Sequence, residues 1–194
     1  MNKVTPKTKE ELRELIKKEL EIQGVDADLN FIDTSNITDM TWLFADLDVR
    51  NIKIDKWDVS NVTDMSYMFY KVVSFNGDLS KWDVSKVIYM SHMFCDAKSF
   101  NGDLSKWNVS NVTDMISMFE GAECFNSDLS RWDVSKVKYM CFMFHGAKVF
   151  NSNLSKWKIS KGTDVEWMFR GAEAFMKNTP KCNVLALMNL CGMF

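Results

Sequence analysis

Residues 57–81 read WDVSNVTDMSYMFYKVVSFNGDLSK, and residues 82–106 read WDVSKVIYMSHMFCDAKSFNGDLSK. The two segments agree in most positions, and the same spacing continues along the chain in both directions. One slot holds Phe44, Phe69, Phe94, Phe119, Phe144, Phe169 and Phe194, a second holds Trp57, Trp82, Trp107, Trp132 and Trp157, and a third holds Phe75, Phe100, Phe125, Phe150 and Phe175. A fixed period of this length is the sequence signature of a repeat protein, in which each unit packs on its neighbours.

The repeat frame divides the chain into three parts. Residues 1–31 precede the repeats, residues 32–181 hold six units of 25 residues, and residues 182–194 hold half a unit. In the first part, Thr8 and Glu11 are spaced as in a capping box, and Gly24 stands where a helix would end. An apolar stripe of helical spacing follows Thr8, formed by Leu12, Leu15, Ile16 and Leu20. We therefore expect an N-terminal cap with an amphipathic helix over residues 8–23.

Composition limits the class of protein and its partners. Of the 194 residues, 46% are hydrophobic and 26% are charged, as in ordinary folded domains, and the net charge of -2 gives no general attraction to nucleic acid or anionic lipid. The five cysteines are odd in number and fall in different slots, so they predict free thiols rather than a disulfide framework. The first thirty residues contain no apolar stretch of the kind found in a secretory signal or a membrane span, so we expect a cytoplasmic protein without membrane insertion.

The first half of each unit resembles a short strand. Leu79, Trp82 and Val84 are apolar, whereas Lys81 and Asp83 between them are charged. Such alternation is typical of a strand with one buried face. We expect one short strand in each unit.

The second half of each unit resembles a short helix. Thr113 and Asp114 supply the oxygen acceptor and negative charge that favour a helix start. The apolar positions are spaced by three, three and one, as in Val87, Met90, Met93 and Phe94, and glycines that would end the helix are Gly121, Gly146 and Gly171. The sequence therefore predicts an α/β repeat solenoid, a right-handed stack of leucine-rich-repeat type, with a parallel β-helix as the alternative.

Stacking of identical units predicts columns of identical side chains. Phenylalanine should lie on phenylalanine and tryptophan on tryptophan, with methionines filling the gaps. Two polar ladders are also expected, one from Asn51, Asn76, Asn101, Asn126 and Asn151 and one from Ser35, Ser60, Ser85, Ser110, Ser135 and Ser160.

The recurring pattern L-x-x-W-x-V-S-x-V-T-D-M-x-x-M-F resembles the BspA-type leucine-rich repeats, the "domain of unknown function 285" class of bacterial proteins. The resemblance extends from Ile32 to Phe194. It implies a repeat fold and, because some relatives are surface proteins credited with adhesion to host components, a cell-surface or secreted location.

Two columns of variable side chains are candidate partner sites. The slot two residues before the repeated phenylalanine holds Trp42, Tyr67, His92, Ser117, Phe142 and Trp167. Aromatic side chains of this kind act as anchors in recognition surfaces, but they also fill space between neighbouring units. Trp42, Tyr67 and Trp167 are the residues that we expect to contact a partner.

The slot before each tryptophan carries a positive charge. A line of cations could bind an acidic ligand, but Asp58, Asp83 and Asp133 follow two residues later and could neutralise it. The column then has the alternative role of a solvated surface that discourages edge pairing. Its members are Lys56, Lys81, Lys106, Arg131, Lys156 and Lys181.

Catalytic and metal sites are not predicted. Cys95, Glu120 and His145 share one slot and are residue types that bind zinc, but no fourth ligand is evident. His92 and His145 are the chain's two histidines, and neither has a nucleophile motif beside it. We expect no enzyme activity, no metal and no cofactor.

The sequence therefore predicts a non-enzymatic module that binds a protein or another macromolecule through its repeated surface. The alternative is a self-assembling structural protein, a homo-oligomer joined through the apolar C-terminal edge that contains Leu187, Leu190 and Phe194. Units also alternate between N-V-T-D-M and K-V-x-Y-M, a pattern to which we assign no function.

Overall fold

A computed structural model describes residues 3–178 of the protein. Helix α1 spans Lys9–Gln23 and helix α2 spans Glu173–Asn178. Between the helices, the chain forms a succession of turns in which equivalent residues of consecutive units lie side by side. We call each 25-residue unit that begins at a tryptophan slot a layer. Parallel bridges of single residues join successive layers at Asp39, Asp64, Tyr89, Asp114, Tyr139 and Asp164.

The predicted α/β leucine-rich-repeat solenoid is wrong. The described residues form no sheet, and the bridges between layers are one residue long. No helix occurs in the layers between α1 and α2. A parallel β-helix, the alternative, also needs a strand in every unit and fails on the same ground.

Left-handed backbone conformations explain why the methionine-rich segment is not helical. The Met68 amide donates to the Met65 carbonyl at 3.2 Å, which closes a turn, but the Met65 amide donates to the Tyr89 carbonyl of the next layer at 2.9 Å. Tyr67 between them has a φ of 60°, and a right-handed helix cannot continue through such a residue. Positive φ values recur outside glycine at Trp42, Asp46, Tyr67, Lys71, His92, Asp96, Ser117, Phe142 and Trp167.

The glycines that were expected to end helices occupy one of these left-handed columns. Gly121 has a φ of 65°, and the equivalent residue of the preceding layer, Asp96, has a φ of 57°. The position therefore marks a turn that every layer makes, and glycine is the residue that adopts this conformation most easily.

Side-chain turns interrupt the segment that was predicted to be a strand. Asp78 Oδ1 accepts a hydrogen bond from the Ser80 amide at 2.9 Å, and Asp83 Oδ1 accepts one from the Ser85 amide at 3.0 Å. Between them the Trp82 amide donates to the Leu79 carbonyl at 3.2 Å. Aspartate and serine side chains that bond locally in this way bend the backbone, so the alternating apolar residues lie on successive turns.

Phenylalanine rings form the centre of the stack, as the period predicted. The rings of Phe94 and Phe119 lie 5.6 Å apart with planes 3° from parallel, and Phe125 covers Phe119 at 3.9 Å. All three side chains are fully buried. Methionines fill the space beside these rings, since Met93 and Met118 are also fully buried.

The tryptophans connect layers by hydrogen bonds rather than by stacking on each other. Trp107 Nε1 donates to the buried Leu79 carbonyl at 3.0 Å, and Trp132 Nε1 donates to the Leu104 carbonyl at 3.0 Å. Among residues 3–178 the indole rings contact phenylalanine rings, as Trp107 contacts Phe94. Each indole therefore bonds to a backbone carbonyl 28 residues earlier in the chain and joins neighbouring turns of the stack.

Four of the five asparagines form the predicted ladder, whereas Asn51 is not part of it, because the Asn76 amide donates to the Arg50 carbonyl at 2.9 Å. The amide of Asn101 donates to Asn76 Oδ1 at 2.9 Å, and the same bond joins Asn126 to Asn101 and Asn151 to Asn126. The serine column behaves differently, because most of its amides bond to an aspartate or asparagine of their own layer. A serine-to-serine link joins Ser160 Oγ to the Ser135 carbonyl at 2.9 Å.

Helix α1 covers the N-terminal end of the stack. Thr8 is its N-cap and accepts a hydrogen bond from the Glu11 amide at 3.2 Å, while Leu12 and Ile16 are fully buried. Arg13 donates to the carbonyls of Leu43 at 2.9 Å and Ala45 at 2.8 Å, and also to that of Trp42. These charged hydrogen bonds attach the helix to backbone groups that have no further layer to pair with.

Candidate functional site

The positively charged residues that precede the tryptophan slots, which we call the cation column, are exposed. Lys81 pairs with Asp55 at 3.4 Å. The other four described members form no ion pair within 4.0 Å inside residues 3–178, so most of the column faces solvent without a fixed counter-ion. The described members are Lys56, Lys81, Lys106, Arg131 and Lys156.

The aspartates that were expected to neutralise this column are held in turns. Asp83 and Asp133 each accept a hydrogen bond from the serine amide two residues later, at 3.0 Å and 3.1 Å. Hydrogen bonds from Ser85 and Ser135 hold the pKa of these carboxyls below the ordinary value. The carboxylates therefore stay charged, but their geometry is fixed by the backbone and not by the cations.

The column becomes more basic towards its C-terminal end. Asn153 stands where earlier layers have Asp78, Asp103 and Asp128, and Lys158 stands where Asp133 stood one layer before. An open polar groove runs beside Lys156. It is lined by Asn126, Ser127, Asp128, Ser130, Asn151, Ser152, Asn153, Ser155 and Lys156.

The slot two residues before the repeated phenylalanine forms a second column, the aromatic column, whose side chains stack on each other at its N-terminal end. Trp42 stacks on Tyr67 with ring centroids 4.1 Å apart, and Tyr67 stacks on His92 at 4.4 Å. The column is interrupted at the buried Ser117. Trp167 lies beyond this break, where its ring contacts the Arg170 guanidinium at 4.5 Å. Of the three predicted partner residues, the structure unites Trp42 with Tyr67 and places Trp167 apart.

His92 differs from the other members of the aromatic column in the environment of one ring nitrogen. Its Nδ1 atom is buried and has no hydrogen-bond partner among the described residues. Burial lowers the pKa of the imidazole, although the nearby carboxylates of Glu120 and Asp114 act in the opposite direction. The ring is therefore mainly neutral at pH 7 and packs as an aromatic group against Tyr67.

Cys95, Glu120 and His145 do not make a metal site in the described part of the chain. His145 Nδ1 lies 3.1 Å from Glu120 Oε1, but Cys95 is buried and no group of three potential ligands has metal-binding geometry within residues 3–178. Burial, together with Glu120 and Asp96, raises the pKa of the Cys95 thiol to about 12.

Cysteine alkylation should separate buried from accessible thiols. At pH 8 we expect iodoacetamide to modify Cys124, which is exposed, at least ~100-fold faster than Cys95, because the thiolate is the reactive form. Peptide mass spectrometry over a time course measures both rates in one sample. Equal rates in the folded protein would show that the Cys95 environment is open.

One surface column, which we call the Asp-Tyr column, was not recognised as a candidate site from the sequence. Tyr89 and Tyr139 alternate with Asp64, Asp114 and Asp164 in the column of single-residue bridges. The side chains of Tyr89 and Tyr139 are 46% and 49% exposed. The signal was present as the two-unit alternation, to which no function had been assigned.

Comparison with protein families identifies the repeats. The family model described as "Mycoplasma protein of unknown function, DUF285" matches residues 11–123 and residues 102–194. The chain belongs to the DUF285 family. Because the description of DUF285 names no leucine-rich repeat, the BspA-type assignment stays a hypothesis. Comparison with curated proteins and with solved structures found no match.

None of the described helices of this DUF285 chain has the length and hydropathy needed to cross a membrane. The predicted oligomer edge, with Leu187, Leu190 and Phe194, lies outside the described residues, as does Lys181 of the cation column.

Proposed function

We propose that this DUF285 protein is a non-enzymatic binding module that engages an acidic macromolecule through its cation column. The observation that carries the proposal is the exposure of Lys56, Lys106, Arg131 and Lys156, none of which has an ion pair within 4.0 Å among residues 3–178. Layers in contact hold these charges at a regular spacing of about 5 Å. A row of regularly spaced cations gives both attraction and positional selectivity for a partner with a matching row of anions.

The BspA-type resemblance supplies the biological role to be tested, which is adhesion to host components. The regular backbone spacing of the column favours such a role, because a row of equivalent groups makes many weak contacts at once. Successive contacts along one partner then add to the affinity without any deep pocket.

The test compares two variants with the same change in net charge. Lys106→Glu with Arg131→Glu reverses the centre of the column, whereas Lys18→Glu with Lys177→Glu reverses exposed cations elsewhere. On a panel of immobilised extracellular-matrix proteins, we expect the first variant to bind its partner at least ~10-fold more weakly than wild type, and the second to bind within threefold of wild type. Binding should also weaken between 50 and 300 mM salt.

Surface plasmon resonance measures these affinities, and thermal unfolding verifies that both variants fold. Equal loss of binding in both variants would indicate a response to net charge and would count against the column. Binding by wild type that neither reversal alters would also refute it, and so would a complete absence of binding at low salt.

A further inference from the structure

The Asp-Tyr column carries two exposed aromatic side chains on one line. Tyr89 and Tyr139 are about half exposed. Among the described residues, neither ring contacts another ring and neither hydroxyl makes a hydrogen bond. Their backbones are fixed by bridges to Asp64, Asp114 and Asp164 in the adjacent layers. A tyrosine whose backbone is held in place and whose ring is exposed presents an aromatic surface to a ligand at little entropic cost.

Hydrogen bonds next to this column make the two-layer repeat a structural unit. Lys86 Nζ donates to Asn61 Oδ1 at 2.7 Å, and Lys136 Nζ donates to Asn111 Oδ1 at 2.7 Å. Each asparagine also donates to a serine carbonyl of the preceding layer, Asn111 to Ser85 at 2.8 Å. Tyr89 and Tyr139 share this two-layer period, and two layers place them about 10 Å apart along the stack.

Carboxylates on both sides of each tyrosine define the hydrogen-bonding character of the surface. One oxygen of Asp64 accepts from the Ser66 amide at 2.8 Å, and one oxygen of Asp114 accepts from the Ile116 amide at 3.0 Å. The second oxygen of each accepts no hydrogen bond within residues 3–178. These oxygens can only accept, so a ligand that satisfies them must supply donors.

The charge of the surface is balanced. Lys86 and Lys136 lie in the same layers as the tyrosines, and the three aspartates lie in the layers between. A strongly charged ligand would meet repulsion in every second layer, whereas an uncharged ligand would not. The surface therefore fits a neutral, donor-rich chain with a period of two layers.

We propose that the Asp-Tyr column binds a linear, uncharged glycan of β-1,4-linked pyranose units. In such a chain every second ring presents the same face, and the length of this repeat is close to the spacing of Tyr89 and Tyr139. The C–H groups of a pyranose lie against the negative face of an aromatic ring. Its hydroxyl groups donate to the free oxygens of Asp64 and Asp114.

A proline-rich peptide is the competing occupant, and the carboxylates argue against it. A polyproline II helix also repeats at about 9 Å and packs on aromatic side chains. However, proline has no N–H group, so such a peptide leaves the aspartate oxygens without donors. The hydroxyl-rich glycan satisfies both the aromatic and the acceptor groups.

Isothermal titration calorimetry on the full chain tests the proposal with cellohexaose, chitohexaose, the corresponding disaccharides and a proline-rich decapeptide. We expect at least one hexasaccharide to bind at least ~10-fold more tightly than its disaccharide, because the longer chain reaches both tyrosines. Tyr89→Ala with Tyr139→Ala should weaken this binding at least ~10-fold. Tyr89→Phe with Tyr139→Phe, which keeps the rings, should stay within threefold of wild type.

The matched control is Val73→Ala with Val149→Ala, which removes two other half-exposed apolar side chains and should leave glycan binding unchanged. The proposal is overturned by a failure of both hexasaccharides to bind at millimolar concentration, by binding that the Tyr-to-Ala variant retains, or by binding of the decapeptide alone. Lys106→Glu with Arg131→Glu should keep full glycan binding, so failure of the cation-column proposal leaves this inference standing, and the reverse also holds.

Discussion

Replacing Phe119 by alanine should lower the free energy of unfolding by about 4 kcal/mol. Phe119 is fully buried and is in contact with Phe94 and Phe144 in the adjacent layers and with Phe125 in its own. Neighbouring layers are held at a fixed spacing by backbone hydrogen bonds, so they cannot collapse into the cavity. Equilibrium unfolding in urea, followed by far-ultraviolet circular dichroism, measures the loss.

Phe142→Ala provides the matched control. Phe142 is the same residue type in the next layer, but it is only half-buried, and its ring contact is an edge contact with His145 at 5.8 Å. We expect a loss of about 1 kcal/mol there, since the Phe142 side chain is only partly buried and its removal does not leave an enclosed cavity. Similar losses for the two variants would contradict the layered core.

Replacing Trp107 by phenylalanine should lower the free energy of unfolding by about 2 kcal/mol, because the smaller ring leaves space in a buried slot and one hydrogen bond is lost. The Leu79 carbonyl loses the indole N–H but keeps the Trp82 amide as a donor. Trp107 is 4% exposed, and its Nε1 atom is 3.0 Å from the Leu79 carbonyl, which lies 28 residues earlier in the chain. Phenylalanine keeps an aromatic ring in the slot but has no N–H group. The same urea titration gives the difference.

Trp42→Phe is the control for this substitution, because Trp42 is 45% exposed and its indole N–H makes no hydrogen bond among the described residues. We expect a change within about 0.5 kcal/mol. If Trp107→Phe were equally neutral, the indole hydrogen bonds would not be what joins one layer to the next.

The interior of the stack could be predicted from the sequence because its residues are invariant in type. A phenylalanine that recurs every 25 residues can only be buried against its own copies, and Phe94 and Phe119 stack as expected. The asparagine ladder was predictable for the same reason, since Asn76, Asn101 and Asn126 each offer one side-chain oxygen to one backbone amide. In both cases the period alone determines the partner.

The backbone path could not be predicted, because two different conformations give the same apolar spacing. Met90 and Met93 are three residues apart, which suits a helix and equally suits a turn closed by a bond across three residues. His92 determines that the segment forms a turn and not a helix, because its φ is 57°. A histidine, tyrosine or lysine in a left-handed conformation carries no signal in its side chain, unlike glycine at the equivalent of Lys71.

The candidate sites were predictable to different degrees. The cations could be located in one column from their slot, but the hydrogen bond that holds Asp83 in a turn with Ser85 required the structure. The Asp-Tyr column was visible as an alternation. Its interpretation as a candidate binding surface required the structure, which shows that Tyr89 is exposed and that Lys86 joins neighbouring layers.

The hydrogen bonds between layers join residues that are 23 to 28 positions apart, as Leu104 joins Ser127 and Trp107 joins Leu79. Loss or duplication of 25 residues within the stack therefore keeps the backbone donors opposite equivalent acceptors, whereas a length that is not a multiple of 25 misplaces the bonds that span the change. The Lys86 bond to Asn61 adds a stricter requirement, because only a gain or loss of 50 residues keeps lysine next to asparagine. Such a gene can change the length of its protein by recombination between its own repeats, and the pairing of layers favours changes in whole pairs.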